Sequence, residues 1–166
     1  PALGEPYNLP TNCRNTRSIA GKCSEILNVD IPTREEAPLG EKPTVLTLGL
    51  NYDVKKRVER YINEWVKDGN LKPSQVAILS PTKKARSSIS DLNAARGIKI
   101  TEDIAAWRED KGVLFSTVKS FKGLEADAVL LIDIPEEEDT GFFKQSDYYV
   151  ACSRAKHLLV VIHKEN

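Results

Sequence analysis

The chain contains no methionine, three cysteines and two histidines in 166 residues, so several chemistries have little to work with. Cys13, Cys23 and Cys152 form no CxxC pair and have few histidines near them. They read as reduced thiols rather than as a disulfide framework or a zinc site. The missing methionine, absent even at the start, fits a piece cut from a longer protein. No apolar run approaches the roughly 18 residues needed to cross a bilayer. The longest, from Ala128 to Ile132, has the length of a buried strand. The first residues do not read as a signal peptide, and a cytoplasmic location is expected. Charge of one sign is missing too: 24 basic residues balance 24 acidic ones. That excludes a domain-wide basic field and leaves room for a local basic groove. GxGxxG, a P-loop and any histidine-centred constellation are all absent, which disfavours an unrelated doubly wound enzyme such as a nucleotide-dependent transferase or a flavodoxin-like protein.

What is present has the mix of a single globular domain spanning residues 1–166, with 40% hydrophobic and 29% charged residues. Strand-like apolar runs alternate with amphipathic stretches. Asn15 and Thr16 are candidate caps of a helix reaching Leu27, with Ile19, Cys23, Ile26 and Leu27 at helical spacing. Residues 31–43 carry no period and read as a loop. Thr44 to Leu48 is strand-like. Val54, Val58, Tyr61, Ile62 and Trp65 mark one face of a helix ending near Gly69. Gln75 to Leu79 is a buried strand, and Thr82 to Ala95 is expected to be a basic helix. Shorter strands are expected at 97–100, 113–116, 128–132 and 158–162, with a helix over 146–154. Strands separated by helices imply an α/β fold: a three-layer domain with a mainly parallel central sheet and helices on both faces. Ligands of such sheets sit at the carboxyl ends of strands. Ligand contacts are therefore expected in the segments after Leu79, Ser116 and Ile132 and in the turn before Leu158.

Three segments offer charge at such junctions. Residues 9–16 put Arg14 just ahead of a helix, 117–125 join two buried strands, and 149–156 put Arg154 near the end of a helix. An arginine held there can fork onto phosphate oxygens, because guanidinium is planar, permanently charged and bidentate. Thr117 offers a hydroxyl and backbone N–H groups to a phosphate. Gly123 allows close backbone approach, and Glu125 can accept from ribose hydroxyls. Each has an ordinary alternative when taken alone. An arginine near a helix C-terminus complements the dipole, Lys122 and Gly123 make a helix stop, and Asn12 and Asn15 are common caps. The acidic run 136–139 reads as a solvated loop. Two further resemblances carry no weight. Gly21, Lys22 and Cys23 mimic the end of a P-loop inside a helix, and Asp133 after an apolar strand mimics a metal-binding acid with no P-loop to partner it.

Together and in this order, the three segments resemble the C-terminal motifs of superfamily 1 helicases of the UvrD/Rep kind. Residues 9–16 resemble motif IV, where an asparagine, an aromatic and an arginine precede a helix. Residues 117–125 resemble motif V, and Tyr149, Val150, Ala151, Ser153, Arg154 and Ala155 match motif VI. Residues 76–81 resemble the strand that follows motif IV. The resemblance implies a RecA-like fold and the second half of a two-domain motor, whose N-terminal RecA-like half supplies the P-loop. ATP with Mg²⁺ would lie in the cleft between the halves. Arg14 and Arg154 would reach the γ-phosphate. Gly123 and Glu125 would face the nucleotide sugar. Thr117 and Lys119 would touch single-stranded DNA or RNA, with Ser80 or Thr82 adding a contact. No metal ligand is expected in this half, and no membrane partner. Cys13 stands where the family has an adenine-stacking tyrosine, Lys119 replaces a histidine, and 96–111 is too short for the large inserted subdomain of UvrD and Rep. On this reading the domain alone does not hydrolyse ATP. A stand-alone RecA-like module that binds nucleic acid or protein without a motor is the alternative.

Overall fold

The computed structural model describes residue 12 and residues 14–136 and 142–165. Their order is α1 Arg17–Leu27, β1 Thr44–Leu48, α2 Asn51–Ile62, β2 Val76–Ser80, β3 Ala94–Ala95, β4 Ile98–Thr101, α3 Ile104–Arg108, β5 Val113–Thr117, β6 Ala126–Pro135, α4 Gln145–Cys152 and β7 Ala155–Lys164. The strands form one seven-stranded sheet in the order β1-β7-β6-β2-β5-β4-β3, parallel except for the β3–β4 pair. The expected α/β architecture, a mainly parallel sheet between helical layers, is what the chain adopts. No helix among the described residues is long and apolar enough to cross a membrane.

The central strands are apolar on both faces, so each residue's parity decides which core it joins. Ala77 and Leu79 of β2, Leu114 of β5 and Val129 and Leu131 of β6 pack with α1, α4, Trp107 and Phe121. Val76, Ile78, Val113, Phe115, Leu130 and Ile132 pack on the other face, with Val54, Val58 and Ile62 of α2. β6 breaks the parity twice, first between Ala126 and Ala128, which join opposite cores across a register shift. Ile132 and Ile134 are two apart yet belong to opposite cores, because the register shifts between Leu131 and Ile134. Asp133 forms this bulge with φ of 58°, a left-handed conformation that few side chains other than asparagine and aspartate adopt.

The basic helix expected over 82–95 is not formed. The segment makes a single 3-10 turn, Lys84–Arg86, then bends and enters the β3–β4 hairpin through Arg96 and Gly97, both at positive φ. The side chains of Ser87 and Asp133 capture backbone groups that a helix would use. Ser87 Oγ donates to the Lys84 carbonyl and accepts from the Ile89 N–H. Ser88 gives its N–H to Asp133 at 2.9 Å, and its hydroxyl to the same carboxylate. Lys84 turns inward and donates to the Ser90 carbonyl and Asn93 Oδ1, both at 3.1 Å. Residues 104–108, ambiguous in sequence, form α3, whose start is capped by Asp103 accepting from the Ala105 N–H at 2.8 Å.

The connection 118–125 is a crossover between parallel strands that has turns in place of a helix. Val118 and Phe121 are its buried anchors, and Phe121 sits 5.9 Å from the ring of Trp107. Trp107 in turn donates to the Pro73 and Val76 carbonyls.

Cys23 and Cys152 are free and buried in the α1/α4 core. Burial pushes the Cys23 thiol from its ordinary value near 9 up to about 11, and pushes the Cys152 thiol up as well. The unfolded chain therefore ionises first, and stability falls as pH climbs past about 9, for Cys23 until about 11. In a Cys13→Ser background, iodoacetamide at pH 8.5 should leave the native chain unlabelled while labelling the urea-unfolded chain at two sites. Native labelling at the unfolded rate would refute the burial argument. Urea midpoints at pH 8 and 10.5 should differ more for this chain than for one also carrying Cys23→Ala and Cys152→Ala.

Candidate functional site

Parallel strands give the sheet two chemically distinct edges. Ser80 closes β2 and Thr117 closes β5, so Thr82 and Lys119 follow at the carboxyl edge. Glu125 and Arg154 precede β6 and β7, so they lie at the amino edge. The expectation that the turn before Leu158 belongs with the carboxyl ends is corrected by this direction: a turn that enters a parallel strand is at the opposite end from one that leaves it.

At the amino edge, the Arg14 turn is locked to the Arg154 turn by Asn15. Its side-chain amide donates to the Ser153 carbonyl at 3.1 Å and to the Ala155 carbonyl, and its Oδ1 accepts from Asn12. The Thr16 N–H donates to the Lys156 carbonyl at 3.1 Å. Asn12 and Asn15 therefore do not cap α1. The first N–H groups of that helix, from Arg17 and Ser18, are taken by the Pro38 and Leu39 carbonyls of the 28–43 loop. Asn15 is buried, and Asn15→Ala would strand two carbonyls in a site that water cannot easily reach. The expected loss is about 2–3 kcal/mol in urea unfolding, and a loss under about 0.5 kcal/mol would show that the lock carries nothing.

Arg14 is exposed and lines a cavity of about 200 Å³ with Arg34, Glu36, Lys156 and His157. Thr16 also lines it, and its buried Oγ1 has no hydrogen-bond partner among the described residues. Arg154 does not line this cavity. Its Nε donates to the Val150 carbonyl at 3.3 Å and its Nη1 reaches the Leu124 carbonyl at 3.5 Å, tying the end of α4 to the 118–125 turn. No carboxylate pairs with Arg154 among the described residues. Gly123 holds φ of 88°, and an added Cβ there would meet nothing within 4 Å, so the backbone conformation alone asks for glycine. Glu125 pairs with Lys156 at 3.3 Å across the same edge. An exposed pair of this kind is worth under about 1 kcal/mol, so either partner can be released to a ligand at little cost.

At the carboxyl edge, an open groove of about 450 Å³ is lined by Thr82, Lys83, Arg86, Thr117, Lys119 and Phe142, together with Pro81 and Ala85. Among the described residues its charged lining is wholly basic. Thr117 already spends its hydroxyl on the turn: Oγ1 accepts from the Ser120 N–H at 3.1 Å and donates to Ser120 Oγ at 2.8 Å. Ser80 is fully buried and stands behind the groove. Its Oγ accepts from the Thr82 N–H at 3.2 Å and lies 3.4 Å from Asp133 Oδ2, so Ser80 supports Thr82 rather than facing a ligand. Asp133, engaged by Ser80 and Ser88, fixes the basic loop beside the groove. No group of three or more His, Cys, Asp or Glu side chains suited to a metal occurs among the described residues.

Sequence reasoning passed over Arg34 and His157 at one edge and Lys83, Arg86 and Phe142 at the other, and gave Lys156 no role. The density of Lys83, Lys84 and Arg86 was a visible signal, spent on a helix that does not form. Phe142 carried none. Cys13, the departure at the adenine-stacking position, lies outside the described residues, as do residues 137–139 of the acidic run.

No family profile matches the chain, and no curated protein matches it in sequence. In fold it is similar to a solved structure, the C-terminal domain of a possible DNA helicase from Lactobacillus plantarum WCFS1. The TM-score is 0.67 at 22% identity, over 91% of this chain and 86% of that one.

Proposed function

We propose that this chain is the second RecA-like half of an ATP-dependent superfamily 1 helicase motor, completing the ATP site with arginines and gripping single-stranded DNA or RNA. The observation that carries the reading is the Asn15 lock, which joins the Arg14 and Arg154 turns at one edge while Thr117 and Lys119 line a basic groove at the other. A motor half needs that separation, with phosphate chemistry at one end of the sheet and strand contact at the other. The fold likeness to a helicase C-terminal domain supports the same reading.

The residues at the amino edge fit the phosphate end of a nucleotide. Arg14 and Lys156 flank a cavity of the right sign, and Glu125 and the Gly123 backbone lie beside Arg154 through the Leu124 carbonyl. Bound ATP supplies the phosphoanhydride whose cleavage drives movement. Arg14 and Arg154 would then stabilise charge on the terminal phosphate, Arg154 exchanging its carbonyl contacts for phosphate oxygens. The P-loop and the Mg²⁺ ligands belong to a partner N-terminal RecA-like domain of the same polypeptide. Closing and opening of the two halves would move the strand held by Thr82, Thr117 and Lys119.

The test is nucleotide hydrolysis by the parent polypeptide with and without single-stranded DNA or RNA. Stimulation by the strand is expected. A parent protein with no P-loop, or one whose hydrolysis ignores the strand, would favour a RecA-like binding module instead.

A further inference from the structure

Phe142 is 57% exposed beside three cations, although its neighbour Phe143 is buried in the α1/α4 core. An aromatic ring left in water has forgone the hydrophobic gain that its neighbour collects. It lines the same open groove as Lys83, Arg86 and Lys119, with the hydroxyls of Thr82 and Thr117 between. Lys83 and Arg86 sit on the loop held by Asp133 through Ser88, so the cations are presented by an ordered backbone. Lys84, by contrast, is turned inward and is not part of this face.

A ligand that satisfies this lining must offer negative charge and a flat apolar face at neighbouring positions. An acidic peptide offers the charge without the face. A duplex offers charge, but its bases are stacked on each other. Single-stranded nucleic acid offers both along its length, and base-on-aromatic stacking is tolerant of sequence. We infer that Phe142 is the base-stacking residue of the groove, that Lys83, Arg86 and Lys119 hold the flanking phosphates, and that the chain binds a single strand by itself, without a second motor domain. The inference rests on the proposed strand-gripping role of the Thr117 edge, and it needs nothing from the ATP half.

The experiment is fluorescence polarisation with the full chain and four labelled probes: oligothymidylate, an abasic oligonucleotide of equal length, a duplex of that length and poly-glutamate. Oligothymidylate should bind roughly tenfold tighter than the abasic strand. Phe142→Ala should bring oligothymidylate down to the abasic level and leave abasic binding unchanged, whereas Phe142→Trp should keep the preference. Arg86→Ala and Lys119→Ala should weaken both strands and flatten the salt dependence, by roughly 0.7 in the logarithmic slope for each phosphate no longer neutralised. Because Phe142 is exposed, its variants should unfold at the wild-type urea midpoint. Unchanged oligothymidylate affinity in Phe142→Ala overturns the inference, as does poly-glutamate binding as tightly as the strand, which would point to an acidic protein partner. If stacking holds while the parent polypeptide shows no strand-stimulated hydrolysis, the motor reading fails alone. If hydrolysis is stimulated and Phe142→Ala changes nothing, this inference fails alone.

Discussion

Arg154→Ala in the parent polypeptide should lower strand-stimulated ATP turnover by about 10³-fold or more, with a much smaller change in KM. A positioned arginine that meets the transferring phosphoryl group is worth on the order of 10³–10⁵ in rate, because it stabilises charge that develops in the transition state. The structural work of Arg154 is far smaller. Its bonds to the Val150 and Leu124 carbonyls, at 3.3 and 3.5 Å, are long and half-exposed. Losing them should cost about 1 kcal/mol of stability, visible as a modest fall in the urea midpoint and unable to account for the lost rate. Arg154→Lys separates the two effects further. It keeps the charge but loses the planar fork, so most of the rate should remain missing. Arg14→Ala should produce a comparable defect, and since Arg14 is exposed it should do so at unchanged stability. Turnover within twofold of wild type for Arg154→Ala would remove it from the chemistry and leave it as a tie between α4 and the 118–125 turn.

The second large effect concerns folding. Phe121 is fully buried against Trp107, in a crossover that has no helix of its own. A crossover helix would hold its place through backbone hydrogen bonds and a whole apolar face. Here Val118 and Phe121 must do that work as single anchors. Phe121→Ala should cost about 3–5 kcal/mol, from lost transfer energy and the cavity left behind. That is a large share of the roughly 5–15 kcal/mol that holds a domain together. Phe121→Leu keeps most of the volume and should cost about 1–1.5 kcal/mol, so the prediction stands even if the alanine variant does not fold. Hydrogen exchange should quicken first at 118–125, loosening the turn that carries Gly123 and Glu125. A cost for Phe121→Ala below about 1 kcal/mol would show that the turn is held by something else.

Much of the architecture was legible because strands buried on both faces must be apolar at every position. The runs at 76–79, 113–116, 128–132 and 158–162 could be found by composition alone. The helix marked by Val54, Val58 and Ile62 was found by its period, and it continues through a π-helical turn at Asn63–Asp68 to Gly69. The segment 82–95 misled for a specific reason. Its basic and small residues suit a helix locally, but Asp133, remote in sequence, draws Ser88 to itself, and the Ser87 hydroxyl competes for the backbone. A charge density that a helix would have spread around its surface is gathered instead along one wall of a groove.

The sequence by itself determined the layer architecture, the parallel strands and the candidate residues, because these depend on local composition, period and spacing. Only the tertiary structure decided how those residues are grouped. It put Arg14 with the turn before β7, Thr117 and Lys119 at the far edge, Ser80 behind the groove, and Lys83, Arg86 and Phe142 beside one another within it. The direction of a strand, a bulge that changes parity and a side chain that bonds across the fold are long-range facts. They arise when separate segments meet, and no window of sequence contains both partners.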